Sequence, residues 1–462
     1  MSAGIWTGQA DLWTGEWVSD RLDVRLADGE RPAGVGLSDL VGLAVRRNPR
    51  RAHLLVSTVL GKHVPTDPRL VYGAGLLLGD LVRARLNGRS PGDTGGLLAE
   101  ALKSRPGAAA SLRDRLRAPR TPVDAVVLGY AETATALGHS VADSLGGAYY
   151  LHSTRRPVAG FATYGGFEEE HSHATSHLLL PADPAELNAE VPMVLVDDEL
   201  STGRTVLNTI RALHAVRRRR HYVVAALVDL RDDDDRARMR ELGDELGARI
   251  DAVALASGRV ELPDGILEAG QAVVSDLEAG RGERPVRPVR PARPVTWVDV
   301  GWPQGLPDGG RHGFTPEHRA RLEKELPAMA ARLVPALAGC GCVLVLGSEE
   351  LMYAPLRLAE ALADVLADVA VRYSTTTRSP VLAVDDPGYA IRTRLAFPAH
   401  DDPADGPGER YAYNVGARFD AIVLVVDAAA DTQALKGGLL AELSALAPVS
   451  VVVIPAFGEG EL

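Results

Sequence analysis

Val191-Pro192-Met193-Val194-Leu195-Val196-Asp197-Asp198-Glu199-Leu200-Ser201-Thr202-Gly203-Arg204-Thr205 is the stretch whose reading decides the fold. An apolar run of strand length ends on two adjacent carboxylates, a turn of hydroxyls with one glycine follows, and a helix-like segment runs from Val206 to Val216. Ser201, Thr202 and Thr205 supply hydroxyls, Gly203 lets the backbone turn tightly, and the free N–H groups opening the next helix favour an anion. Asp197 and Asp198, at the carboxyl end of the strand, can accept hydrogen bonds from vicinal hydroxyls of a sugar whose phosphate sits in the turn. These residue types describe a sugar-phosphate site. The plainer alternative is an ordinary strand-to-helix turn with solvated aspartates.

The rest of the chain limits what such a site serves. At 462 residues the sequence is long enough for two α/β domains with two substantial cores. A net charge of −11, with no basic patch or tail, argues against nucleic acid as the main partner. The two cysteines, Cys340 and Cys342, flank one glycine in apolar surroundings and read as buried thiols, not as a disulfide framework or a zinc set. No apolar run reaches membrane-spanning length, and the first twenty residues lack the basic start and apolar core of a signal peptide, so the expected location is cytoplasmic.

The opening stretch resembles the phosphoribosyl-pyrophosphate (PRPP) signature of type I phosphoribosyltransferases: apolar residues, two acidic residues, two variable ones, then Ser/Thr-Thr-Gly-x-Thr. The resemblance implies a parallel sheet flanked by helices, with a hood. It places Asp197, Asp198, Ser201, Thr202, Gly203, Arg204 and Thr205 against PRPP, and Mg²⁺ at Asp197 and Asp198, held largely through PRPP and water. The implied reaction moves the 5-phosphoribosyl group to an acceptor, usually nitrogen, and releases pyrophosphate. In hypoxanthine-type relatives an aspartate precedes the Thr-Gly and assists proton removal; here that position is Ser201. The implied partners are PRPP and a small-molecule acceptor, with a homodimer entertained and neither nucleic acid nor membrane involved.

Other segments carry further candidates. Trp6, Trp13 and Trp17, followed by alternation through Leu22 to Leu26, suggest a hairpin. Arg46 to Arg51 is a basic cluster, read either as anion-facing or as a solvated turn. Gly61-Lys62-His63, straight after a strand, exposes a mobile cation and an imidazole; it is similar to the hood turn of orotate phosphoribosyltransferases, and the alternative is a surface lysine. Tyr72 to Leu86 reads as a helix, and Asn87 to Arg120 as an irregular excursion with one short helix near Gly95 to Lys103.

Ala125 to Leu128 is a buried-type strand opening into Gly129-Tyr130-Ala131-Glu132-Thr133, which in the resembled family is the pyrophosphate loop and puts Gly129, Ala131 and Thr133 beside PRPP. Glu132 either reaches Mg²⁺ or the nucleophile, or simply faces the helix dipole. A third strand delivers Arg155 and Arg156, suited to neutralising the leaving pyrophosphate, and then a lid-length segment to Leu180. That segment holds Glu168, Glu169, Glu170, His171, His173 and His177; with Glu132, the residues Glu169, Glu170, His171 and His173 are the candidate proton acceptors, against a His-x-His zinc site or a solvated loop. Asp232 to Asp235 reads as a helix start, and Arg249 to Leu255 with Arg259 to Leu262 as strands closing a hood.

The expected domains are a phosphoribosyltransferase over 1–279, a Pro/Arg-rich linker over 280–296, and a second α/β domain over 297–462. The second echoes the first: Leu128-Gly129-x-x-Glu132 recurs as Leu346-Gly347-x-x-Glu350, and Thr154-Arg155-x-Pro157 as Thr377-Arg378-x-Pro380. This predicts a degenerate copy, its last strand ending on Asp427 without a Thr-Gly turn. Thr377-Arg378-Ser379-Pro380 also resembles the TRSP domain, which follows a phosphoribosyltransferase in bacterial proteins associated with tellurium-resistance and stress-response gene clusters. The alternatives to an enzyme of this type are a PRPP-binding regulator without chemistry and a PRPP synthase.

Overall fold

The computed structural model describes residues 16–46, 51–92, 94, 96–158, 160–167, 177–279, 291–400, 408–416 and 418–457. Its two main sheets follow one strand plan. The first runs Arg25–Asp28, Arg249–Glu261, His221–Asp229, Met193–Leu200, Val126–Gly129, Tyr149–His152. Every neighbouring pair is parallel except Arg25–Asp28, which lies antiparallel to the far half of Arg249–Glu261. The second runs Val295–Trp297, Val449–Ile454, Ala421–Asp427, Cys342–Gly347, Ala370–Thr375, all parallel. Its central strands, such as Ala421–Asp427, are buried along their whole length, as parallel strands covered on both faces require.

In each sheet one pair of adjacent strands sends its onward connections in opposite directions: Val126–Gly129 with Met193–Leu200, and Cys342–Gly347 with Ala421–Asp427. Crevices at the carboxyl ends of such pairs are where open α/β sheets bind ligands. The third strand of each plan is followed by an antiparallel pair, Gly165–Phe167 with His177–Leu179 in the first and Arg394–Pro398 with Glu409–Tyr413 in the second. The position next to His221–Asp229 is filled by the strand that follows it, whereas next to Val449–Ile454 it is filled by a strand from before the domain's first helix.

The two apolar clusters of the chain do not divide one to each domain. One continuous apolar cluster runs from Val126 and Val194 in the first sheet to Val343, Val345, Val423 and Val425 in the second. The alternating residues Leu344, Leu346, Ile422 and Leu424 face a smaller cluster on the far side. The join is made by the helix Tyr353–Val365, which packs on both Pro68–Leu86 and Thr135–Leu145. Buried charges cross it: the Arg357 guanidinium, 1% exposed, meets Glu360 at 2.7 Å, Glu323 at 2.8 Å and Asp143 at 3.6 Å and lies over the Tyr72 ring.

Local expectations are adjusted in several places. The hairpin at Leu22 to Leu26 is instead a helix, Glu16–Leu22, with Trp17 buried, followed by one edge strand; Trp6 and Trp13 lie outside the described residues. The excursion from Asn87 to Arg120 holds two helices, Leu97–Leu102 and Ala108–Arg117, because Leu98, Leu112 and Leu116 find an apolar surface to cover. The two strands expected between Arg249 and Leu262 are one, Arg249–Glu261. Asp232 caps the helix Asp233–Leu246 by accepting from the Asp235 amide. Cys340 and Cys342 are half-buried free thiols, and burial raises both pKa values. The tract from 280 to 290 lies outside the described residues, and Val295 already belongs to the second sheet.

Candidate active site

The signature strand runs on through the acids, as Met193–Leu200, with Met193 to Val196 buried and Asp197 to Glu199 half-exposed where the sheet ends. Asp197 Oδ1 accepts from the Asp198 amide at 2.9 Å, which orients the first carboxylate. Gly203 sits at φ +75° as the residue before the helix Arg204–Val216, a conformation that a side chain there would strain. The turn therefore delivers Ser201 and Thr205 to the helix start as the spacing predicts.

A cavity of about 510 Å³ opens over this turn and the neighbouring loop Gly129 to Thr135. Asp197, Asp198, Glu199, Ser201 and Thr205 of the signature stretch line it. Lys62, Glu132, Thr133 and Arg155 line it as well, together with Leu54 and Leu55 of the strand His53–Ser57. Arg51, ahead of that strand, meets Glu199 at 2.7 Å. Two other cavities, about 300 and 550 Å³, share no residue with the signature turn.

Lys62 is 9% exposed and donates to Thr133 Oγ1 at 2.7 Å, with Glu132 Oε2 at 3.6 Å. The surface-lysine alternative is thereby set aside. Glu132 also accepts from Thr377 Oγ1 of the second domain at 2.9 Å, and Arg378 Nε stands 3.8 Å from its other oxygen. Glu132 thus ties the loops of the two domains together through a hydroxyl and two neighbouring cations. His63, also lining the cavity, is 6% exposed with Nε2 lacking a hydrogen-bond partner among the described residues. Burial, with Lys62 and Arg46 nearby, pulls its pKa well below the ordinary value, so the imidazole stays neutral and is a weak base.

Not every expected residue gathers here. Arg156, expected beside Arg155 over the leaving group, is 6% exposed and pairs with Asp427 of the second domain at 3.2 Å; the turn after the third strand points successive side chains opposite ways. Ala131 lines the cavity, whereas Gly129 does not: a Cβ there would strike the Tyr150 hydroxyl at 2.5 Å, which is a packing requirement. Thr202, Gly203 and Arg204 shape the turn without lining the cavity; Thr202 Oγ1 accepts from the Arg204 amide. Glu169, Glu170, His171 and His173 lie outside the described residues. His177 is fully buried and shares a hydrogen bond with Ser153.

Sequence reasoning left out of the site Arg51, His63 and Glu199 of the first domain and, from the second, Arg378, Ser379 and Pro380, all of which line the same cavity. A signal for the underlying repeat was present, since Gly61-Lys62-His63 recurs as Gly310-Arg311-His312, each followed by a helix opening on proline, Pro68–Leu86 and Pro316–Leu333. Each of these turns lies against the edge strand of the opposite sheet: Thr66 bridges Tyr373, and Phe314 bridges Tyr150. The Thr-Arg turns cross in the same way, Thr377 to Glu132 and Thr154 Oγ1 to Glu350 Oε2 at 2.8 Å.

The mirror position in the second domain is closed. Arg311 meets Glu350 at 3.2 Å and Asp427 at 3.8 Å, Arg156 takes Asp427 as well, and the space left beside Arg311 and Glu350 is about 10 Å³. Burial would raise Glu350, but Arg311, His152 and Arg156 outweigh it and hold the carboxyl well below its usual range.

A doubly wound parallel sheet with an acid pair, a hydroxyl turn and a cationic loop at its switch point defines a phosphoribosyltransferase-type domain. Residues 40–259 match the family model described as "Phosphoribosyl transferase", and residues 308–443 match the one described as "TRSP domain C terminus to PRTase_2". The chain is therefore a type I phosphoribosyltransferase domain fused to a C-terminal TRSP domain. Comparison with curated proteins gives no match. Among solved structures, adenine phosphoribosyl transferase from Trypanosoma brucei, in complex with AMP, pyrophosphate and ribose-5-phosphate, is similar over 34% of this chain and 68% of that one, at 16% identity and a TM-score of 0.24. The enzyme from Rhodothermus marinus is similar over 47% and 95%, at 16% identity and 0.28. That from Giardia lamblia, complexed with 9-deazaadenine, covers 33% and 82%, at 18% identity and 0.23.

Proposed function

We propose that the protein transfers the 5-phosphoribosyl group of PRPP to a nitrogen of a small-molecule acceptor and releases pyrophosphate. The observation that carries this is the single cavity lined by Asp197, Asp198, Ser201 and Thr205 together with Lys62 and Arg155. In this reading the helix start and hydroxyls hold the 5-phosphate, the aspartates accept from the ribose hydroxyls, and Lys62, Thr133 and Arg155 face the pyrophosphate. The bond from the anomeric carbon to the pyrophosphate oxygen breaks, its electron pair leaves with pyrophosphate, the carbon–nitrogen bond forms, and the acceptor gives up a proton. Positive charge gathers at the anomeric carbon next to carboxylates, and negative charge on the leaving group next to cations, which is electrostatic catalysis by fixed groups. The proton that the acceptor loses passes to the departing pyrophosphate or to water, since burial makes His63 a weak base.

Among the described residues no group of three or more protein ligands could hold a metal by itself. Mg²⁺ bound through one or two carboxylates plus substrate oxygens needs no such cage, so Asp197 and Asp198 fit that role. When bound, the ion would add to the neutralisation of pyrophosphate. The same reading extends to a stress-response setting, as the TRSP resemblance implies, and to a location away from membranes; no described helix is long and apolar enough to cross one. The test is pyrophosphate release from PRPP and Mg²⁺ across a panel of purine, pyrimidine and amine acceptors. Acceptor-dependent release is the expected result; PRPP binding with no release on any acceptor would favour a regulator, and consumption of ATP with ribose 5-phosphate a synthase.

A further inference from the structure

The second domain touches the site where the reaction would need most positive charge. Arg378 lines the cavity together with Lys62, Glu132 and Thr133, its Nε 3.8 Å from Glu132. Its side chain is held from behind: Nε donates to Glu349 Oε2 at 2.6 Å, and Glu349, fully buried, takes Arg410 Nε on its other oxygen at 2.6 Å. A carboxylate gripped by two guanidinium groups in the interior is a rigid mount. Thr377, the residue before it, is fully buried, and its hydroxyl donates to Glu132, the same carboxylate that stands beside Lys62. One strand-end turn of the second domain thus fixes the first domain's loop and presents a cation to the cavity.

The mirror turn gives the contrast. Thr154-Arg155-Arg156 approaches the second domain's Glu350 in the same way, through the Thr154 hydroxyl and the Arg155 amide. There Arg156 and Arg311 occupy the position with ion pairs to Asp427. At the equivalent of Arg156 the second domain has Ser379, a smaller residue that lines the open cavity. Both amides cap the same way, Arg156 on Thr154 Oγ1 at 3.1 Å and Ser379 on Thr377 Oγ1 at 3.2 Å, so the two turns share a geometry and differ in what they project. The exchange is symmetric in backbone and asymmetric in outcome: one open site, built by both domains, and one sealed.

We propose that the open site is composite, with Arg378 of the TRSP domain serving as a pyrophosphate-binding residue and Thr377 as the positioning residue for Glu132. This rests on the phosphoribosyl-transfer reading. Each residue of the four-residue motif then has its own role, in which threonine locks the loop, arginine binds the leaving group, serine keeps the cavity open, and proline ends the turn.

The full chain is titrated calorimetrically, with Mg²⁺, against inorganic pyrophosphate and separately against ribose 5-phosphate, in the wild type, Arg378→Gln, Arg378→Lys and Arg156→Gln. Arg378→Gln is expected to lose about 10- to 100-fold in pyrophosphate affinity, as for one charge-assisted contact, with ribose 5-phosphate unchanged. Arg378→Lys keeps a cation for Glu349 but not the guanidinium fork, and should fall between; it decides the matter if the glutamine variant does not fold. Arg156→Gln breaks the mirror ion pair and should lower stability while both affinities stay. Pyrophosphate binding by Arg378→Gln at wild-type strength, or equal weakening of both probes, overturns the proposal while leaving the transfer reading intact. A wild type that binds neither probe overturns that reading, and this proposal with it.

Discussion

Replacing Asp197 and Asp198 together by asparagine tests the heart of the site with little disturbance of the fold. Both side chains are half-exposed, and an asparagine carbonyl can still accept from the residue 198 amide as Asp197 Oδ1 does at 2.9 Å. Asp197, Asp198 and Glu199 crowd three carboxylates at one strand end, so losing two charges relieves repulsion there. Stability should therefore change by no more than about 1 kcal/mol. Binding should change far more. Each aspartate is assigned one charge-assisted hydrogen bond to a ribose hydroxyl, and such a bond contributes about 1.5–3 kcal/mol. At 1.4 kcal/mol per decade that is about 10- to 100-fold each, hence about 10²- to 10⁴-fold for the pair if they act independently. Calorimetric titration with PRPP and Mg²⁺, beside a urea unfolding curve, measures both quantities on one preparation. A folded double variant that binds PRPP as tightly as the wild type would refute the assignment of the acid pair to the ribose.

Three further outcomes follow from the packing and charge of the two domains. Gly61→Ala places a Cβ at φ +74° and 2.6 Å from the Tyr373 ring of the second domain, so unfolding free energy should fall by about 1–3 kcal/mol and PRPP affinity should fall with it, because Lys62 is displaced; unchanged urea midpoints would contradict the close approach. Arg357→Met removes a buried guanidinium but leaves Arg113 on Glu360 and Arg319 on Asp143, so the cost should sit near the lower end of the range for a broken buried pair, about 3 kcal/mol by denaturant titration; a loss under about 1 kcal/mol would mean that the network is not a stabilising join. The pKa values of His53, His152 and His312 are each lowered to about 4, chiefly by burial, so the fold binds fewer protons than the unfolded chain below pH 6.5. Stability should thus be full above about pH 6.5, decline as pH falls towards 4 and level off there for these groups, with Glu350 adding a further loss below its unfolded value near 4.5; a flat midpoint between pH 7 and 4.5 would argue against buried neutral imidazoles.

The acid pair, the hydroxyl turn and Gly203 were readable because their chemistry is local: a strand end, a tight turn and a helix start occupy consecutive residues, and each step has its own residue requirement. The small-residue turn from Gly129 to Thr133 after its strand was legible for the same reason. Arg156 was not, since adjacent residues in an extended turn face opposite ways, and nothing in Arg155-Arg156 says which of the two looks into the cavity. The excursion from Asn87 to Arg120 read as irregular because its glycines and prolines hide two short helices, which are stabilised by the surface they cover and not by propensity.

By itself the sequence determined the α/β class with a parallel sheet flanked by helices, the strand–turn–helix unit of the signature stretch, and the echo of the first domain in the second. Those features follow from periodicity and from motifs contained in single segments. Only the tertiary structure decided that the two halves share one core, that each lends its Thr-Arg turn to the other, and that one of the two resulting sites is open while the other is filled by Arg156, Arg311 and Asp427. The partners in those contacts are separated by some two hundred residues or more, as Thr154 is from Glu350 and Thr377 from Glu132. Pairing at that distance along the chain is set by how the sheets dock and which edges they cover, and no local residue pattern encodes it.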